Sequence, residues 1–378
     1  MGNPSDGGEA KKGVDAVTSL GDGLKQQIAR HGPISVHDYM QMALAGPEHG
    51  YYMRQDPFGK EGDFTTAPEM TQMFGEMLGL WGALCWKTMG APDPVQVVEL
   101  GPGRGTLMSD AMRAGEIMPG FVDAAQIYMV EISPALRAIQ RKTVAGNVGQ
   151  VPAMREKIED VPAGPMVLFA NEFFDALPIR QFVKTEGGWC ERMIDVEPES
   201  GAFVFVPGAP VSDRTVIPDD LLDVPPGAIF EDCPRALEIV RDIAARLKHH
   251  GGAALFIDYG HGEFAIGETL QGVKDHRYHD VLIDPGSVDL TAHVNFAALA
   301  QCAREQGVDV HGPVPQGAFL ARLGMGERAE MLAQNASAAQ VGEIRSAYHR
   351  LTDGDEMGVL FKVLCLAAPG LAVAPWSQ

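Results

Sequence analysis

Four short apolar runs constrain this chain more than any other feature: VQVVEL (95–100), IYMVE (127–131), MVLFAN (166–171) and AALFIDYG (253–260). None alternates polar with apolar residues, as a strand with one wet face would. Each of the first three leads into a turn and then into helical periodicity. Strands of this type are covered on both faces, and the segments between them can hold crossover helices. The pattern predicts an α/β fold on a mostly parallel, doubly wound sheet.

The flanking sequence divides around that core. Residues 1–22 are Gly-rich and polar and read as a flexible tail. Residues 23–94 read as an N-terminal helical cap, with Ser35 as an N-cap and Asp38 in the first turn behind it. The stretch 46–69 lacks periodicity, yet Tyr51, Tyr52, Phe58 and Phe64 argue against a disordered linker. MTQMFGEMLGLWGALCWKTMG (70–90) then repeats apolar residues at helical spacing. Residues 95–378 carry the sheet, with insertions at about 180–235 and 261–350. The first insertion alternates as a hairpin turning at Gly187–Gly188, and MGVLFKVLCLAA (357–368) supplies a last strand.

The most specific local signal is VVELGPGRGTL (97–107), where Gly101, Pro102, Gly103 and Gly105 follow a strand and precede a helix. Such a turn lets backbone approach a nucleotide-type ligand at the carboxyl end of a parallel strand. A dinucleotide fold uses G-x-G-x-x-G, whereas the spacing here is G-x-G-x-G with Glu99 two residues earlier. A carboxylate there opposes a pyrophosphate but suits the ammonium of an amino-acid moiety, which favours S-adenosyl-L-methionine. Glu131, ending the second strand, suits a ribose diol because its two oxygens accept two hydroxyl protons. Asp160, after a short third strand, is expected at the border of the adenine pocket.

ELGPGRGTLMSD, VEISPALRAIQ and ANEFFDALPIRQF together resemble the MidA/NDUFAF7 family of S-adenosylmethionine-dependent methyltransferases. YYMRQDPFGKEGDFTTAPE, DLTAHVNFAAL (289–299) and MGVLFKVL (357–364) are similar to that family too, so the likeness spans roughly residues 30–367. The resemblance implies a class I, Rossmann-like methyltransferase core with a family-specific cap and insertions. It also implies transfer to a protein arginine, which in mitochondrial members lies on a respiratory complex I subunit. Two alternatives stay open: a small-molecule O- or N-methyltransferase, and a cofactor-binding assembly factor without turnover.

Glu172 and Asp175 follow the strand ending at Asn171, on the rim of the glycine turn. Other arginine methyltransferases carry paired acids at the equivalent place, so the pair reads as a clamp that keeps charge on the far guanidinium nitrogens. A structural alternative has Asp175 capping a turn and Glu172 meeting Arg180. Asn171 is expected beside the cofactor, and Phe64 over the adenosine or sulfonium. Thr66 and Glu69 also read as a capping box. His293 is the candidate histidine base.

Bulk properties exclude other classes. A net charge of −20 argues against nucleic-acid binding, which rests on basic residues. Five scattered cysteines without a C-x-x-C pair give no metal site. No apolar run reaches membrane-spanning length, and the N-terminus resembles no signal or transit peptide, so a cytoplasmic location is expected. The cap near Trp81 and the hairpin insertion are the surfaces expected to support a homodimer.

Overall fold

The computed structural model describes residues 19–54, 66–213 and 215–376, so Phe64 and nearly all of the tail lie outside the described residues. The central sheet contains β1 (Val95–Leu100), β2 (Ala125–Val130), β3 (Ala153–Arg155), β4 (Met166–Asn171), β5 (Gly252–His261), β6 (Asp309–Pro315) and β7 (Phe361–Ala367). Their order is β3-β2-β1-β4-β5-β7-β6. Strands β1 to β5 run parallel, and β7 inserts antiparallel between β5 and β6. The order reverses between β1 and β4, the switch point at which open α/β sheets take up ligands.

The absence of alternation has the expected cause: β1 and β4 are buried at every position. Helices α1 (Leu20–His31) and α2 (Val36–Ala45) belong to the cap. Helices α3 (Gln72–Thr88) and α4 (Thr106–Gly115) cover Val97, Val167 and Leu255 on one face of the sheet. Past α5 (Pro134–Val148), α6 (Pro234–His250) and α7 (Phe296–Gln306) cover Val98, Leu168 and Ala254 on the other. Helix α3, expected in the cap, therefore packs on the sheet. Gly79 permits its approach to α4, because a Cβ there would lie 2.1 Å from the Ala111 carbonyl oxygen. Trp81 is fully buried, with its Nε1 donating to the Ala374 carbonyl at 2.8 Å, so it presents no surface to a second copy.

Glu76 of α3 is buried between two guanidiniums: Arg328 donates to both of its oxygens at 2.8 and 3.0 Å, and Arg113 of α4 donates at 2.9 Å. Burial alone would raise its carboxyl. The two arginines more than offset this and hold it below the ordinary range. Removing one member of a buried ion cluster strands the others. Glu76→Ala is therefore expected to destabilise the fold by about 3 kcal/mol, read as a lowered denaturation midpoint. An unchanged midpoint would show the cluster to be energetically idle.

The insertion forms a second, antiparallel sheet from Ile34–Ser35, Arg180–Thr185, Gly188–Val196, Phe203–Pro210 and Ile229–Asp232. Its hairpin pairs Thr185 with Gly188, so the turn is Glu186–Gly187 rather than Gly187–Gly188. Ser35 caps α2 as expected, accepting from the Asp38 N–H at 3.0 Å. Tyr39 and Met40 of α2, Ile194 of the hairpin and Leu290 of a third small sheet share one apolar cluster. That cluster brings the cap and both insertions to the carboxyl end of β4. At the other end of the chain, Met357–Leu360 is a helical turn and the last strand begins at Phe361. Apolar MGVL reads alike in either state.

Candidate active site

Between β1 and α4 the backbone turns through Gly101, Gly103 and Gly105, at φ of 58°, 52° and 83°. Left-handed backbone at three alternate positions is what a side-chain-bearing residue resists. The Gly101 N–H donates to the Val130 carbonyl at 3.0 Å, which fixes the turn to the end of β2. A Cβ on Gly101 would lie 2.8 Å from the Phe173 ring. Gln140 of α5, fully buried, donates one amide nitrogen to the Gly103 carbonyl at 2.8 Å and to Glu131 at 3.1 Å. It locks the glycine turn to the acid beyond β2.

Glu99 and Asn171 stand on either side of this turn, in a small cavity that also touches Gly101, Gly103 and Glu172. One oxygen of Glu99 and the side-chain oxygen of Asn171 are buried without a hydrogen-bond partner. Burial pushes the Glu99 carboxyl well up, offset in part by a Met108 N–H. Such a group gains most from a cationic ligand. Glu131 accepts from the Ser133 N–H at 2.8 Å as well as from Gln140. Burial raises its carboxyl, and those donors offset the rise.

Glu172 and Asp175 come together as expected. Glu172 does not meet Arg180, which pairs with Glu191 instead. Glu172 adopts φ of 49°, uncommon for a side-chain-bearing residue and a form of strain concentrated at functional sites. It accepts from the Ala67 N–H at 3.2 Å and from the Asn171 amide at 3.1 Å. Asp175 accepts from the Tyr259 hydroxyl at 2.7 Å and keeps its other oxygen unpartnered. Burial and the Asp175 charge push Glu172 up to about 7. Burial pushes Asp175 up to about 6, against the Tyr259 hydrogen bond.

A larger cavity of about 340 Å³ joins the two ends of the site. Glu131, Ile132 and Leu136 line one end; Glu172, Asp175, Tyr52, Tyr259 and Asp289 line the other. The Tyr52 hydroxyl donates to Asp289 at 2.9 Å. The second end therefore offers carboxylates and aromatic faces together, which suits a planar cation.

Two expected residues are elsewhere. Asp160 ends an exposed 3₁₀ turn that packs inward only through Ile158, and it lines neither cavity. His293 lines a separate small cavity with Cys233 and Asn295. Tyr259 stands between it and the acids, its ring 5.5 Å from the imidazole and its hydroxyl on Asp175. The base assigned to His293 thus has no access to the cavity. Thr66 makes no side-chain cap, and Glu69 instead accepts from the Thr106 hydroxyl at 2.5 Å, so the capping box does not form. Sequence reading missed Tyr52, Gln140, Tyr259 and Asp289. Only the aromatic enrichment of 46–69 pointed towards one of them.

The residues present fit S-adenosyl-L-methionine. A buried acid at Glu99 with one unpartnered oxygen stands beside the glycine turn, and Gln140 ties that turn to Glu131. Comparison with known proteins agrees. Residues 77–314 match a family described as S-adenosyl-L-methionine-dependent methyltransferases. The chain is 39% identical over 388 residues to the Drosophila melanogaster protein arginine methyltransferase NDUFAF7 homolog, covering 94% of this chain and 86% of that one. It is 35% identical to the Homo sapiens mitochondrial protein arginine methyltransferase NDUFAF7, covering 93% and 83%. A Burkholderia thailandensis protein crystallised with S-adenosyl-homocysteine superposes with a TM-score of 0.82 at 28% identity, covering 94% of this chain and 93% of that one.

Proposed function

This chain belongs to the S-adenosyl-L-methionine-dependent methyltransferase family that includes the NDUFAF7 protein arginine methyltransferases, and on that premise we propose that it methylates an arginine side chain of a protein. The observation that carries the acceptor is the cavity end where Glu172 and Asp175 meet Tyr52, Tyr259 and Asp289. Gly101, Gly103, Glu99, Asn171 and Glu131 would hold the cofactor. When bound, S-adenosyl-L-methionine supplies a methyl carbon activated by its sulfonium.

The protein's own part is alignment and proton management. Ionised Glu172 and Asp175 accept guanidinium N–H groups, Glu172 from the nitrogen that faces the glycine turn, so positive charge stays on the far nitrogens as that one attacks. That nitrogen must lose one proton for its methylated form to leave as an ordinary guanidinium. Glu172, pushed up to about 7, is the more basic receiver of the two. Cap residue Tyr52 and insertion residue Asp289 meet at the same end of the cavity.

The family resemblance directs the first search to a respiratory complex I subunit. A cytoplasmic location and a homodimer formed through the hairpin insertion are further parts of the proposal. No helix among the described residues is long and apolar enough to cross a membrane. The test is transfer from methyl-labelled S-adenosyl-L-methionine into a lysate of cells lacking this protein, followed by mass spectrometry. Label on the arginine of one or a few proteins is expected. Label confined to small metabolites, or none from the cofactor-loaded protein, would overturn the reading.

A further inference from the structure

We propose that Asp258, at the carboxyl end of β5, is the positioning residue for the Glu172–Asp175 pair, an inference that rests on the role given to that pair above. Asp258 is fully buried. Its Oδ2 accepts from three consecutive backbone N–H groups: Phe173 at 3.1 Å, Phe174 at 3.0 Å and Asp175 at 3.2 Å. Its Oδ1 accepts from the Tyr259 N–H at 3.0 Å. Parallel pairing sets Ile257 opposite Asn171, and the Glu172 N–H donates to the Ile257 carbonyl at 2.9 Å.

Three successive N–H groups converging on one oxygen form a wrap that an ionised acceptor stabilises. The wrap begins immediately after Glu172 and ends on Asp175, so one carboxylate fixes where both catalytic side chains leave the backbone. The neighbouring Tyr259 completes the hold through its hydroxyl on Asp175. Asp175 is thus gripped at its N–H by residue 258 and at its side chain by residue 259. The segment beyond is tied in as well, since the Ala292 N–H donates to the Asp175 carbonyl at 3.0 Å.

The charge of Asp258 matters as much as its shape. The titratable groups facing it are Glu172, Asp175 and Tyr259. Lys362, opposite in β7, directs its ammonium to the Val359 and Leu360 carbonyls. His293 packs on the far side of Tyr259. Burial and the charges of Asp175 and Glu172 push Asp258 up. The four N–H donors favour its ionised form and offset part of that rise, so the three acids titrate as one coupled cluster. In its ionised form Asp258 places a negative charge behind the clamp.

The test uses full-length protein and the acceptor found by the labelling experiment. Asp258→Asn is expected to lower kcat at least tenfold, with S-adenosyl-homocysteine affinity within threefold of wild type. The acid limb of kcat/KM should move to lower pH, because a negative neighbour of Glu172 and Asp175 is gone. Glu172→Gln is measured alongside. If that variant keeps full rate, the reading of the pair fails. If it loses activity while Asp258→Asn keeps wild-type kcat and an unmoved acid limb, the positioning role alone fails. Amide exchange in the wild type needs neither acceptor nor variant. The 173–175 amides should exchange as slowly as those of β4, and exchange at the rate of exposed loops would overturn the proposal.

Discussion

Glu172→Gln should lower kcat by about 10² to 10⁴ while leaving cofactor affinity unchanged and making the cofactor-free protein more stable at pH 8. The kinetic half follows from removing the basic oxygen that holds and deprotonates the acceptor. Affinity should persist because Glu99, Glu131 and the glycine turn hang on other strands, and Asn171, the one assigned group on the strand before Glu172, can donate its amide to a glutamine oxygen as it does to the glutamate. The stability half follows from linkage. The Glu172 carboxyl moves from an ordinary value near 4.5 to about 7 in the folded protein. The folded state therefore binds more protons between those values, and stability falls as pH rises through that window. Glutamine carries no such liability. The gain at pH 8 is about 1 to 3 kcal/mol, shrinking towards zero near pH 4. Full activity in the variant, or equal melting midpoints at pH 8, would contradict the role given to Glu172.

The same logic gives the wild-type pH profile its sign. A clamp made of two carboxylates pushed up to about 7 and about 6 works only when ionised. On the free enzyme, kcat/KM should rise as pH passes through that range. A bound guanidinium restores the charged forms, so the limb in kcat should lie lower.

What the sequence disclosed and what it hid divide along one physical line. The glycine turn, Glu99, Glu131 and Glu172 sit where one strand meets one turn, and strand ends at a switch point face a ligand by geometry alone. Asp258 was invisible because it closes an apolar run, AALFIDYG, and its partners lie 83 to 85 residues earlier in the chain. Tyr52 and Asp289, 237 residues apart, meet only because α2 and the insertions share one apolar cluster. His293 misled for the complementary reason. Its neighbours in sequence border the site, since Thr291 and Asp289 line the large cavity, yet its own side chain falls behind Tyr259. Proximity in sequence cannot show which side of a turn a side chain takes.

Gly101→Val should abolish measurable cofactor binding, weakening it at least 100-fold, with only a modest loss of fold stability. Residue 101 holds φ of 58° and donates its N–H to Val130. A β-branched residue resists that conformation by roughly 1 to 2 kcal/mol. Its Cβ would also stand 2.8 Å from the Phe173 ring. Phe173 belongs to the wrap around Asp258, to which its backbone N–H donates, so the base of the ring is held where it stands. The glycine turn must move instead, and with it the Gly103 carbonyl that Gln140 ties to Glu131. One substitution thereby displaces the glycine turn and, through Gln140, Glu131, two of the elements assigned to the cofactor. Calorimetric titration with S-adenosyl-homocysteine, paired with a melting curve, separates this from unfolding. Affinity within threefold of wild type in a folded variant would remove the glycine turn from the cofactor site.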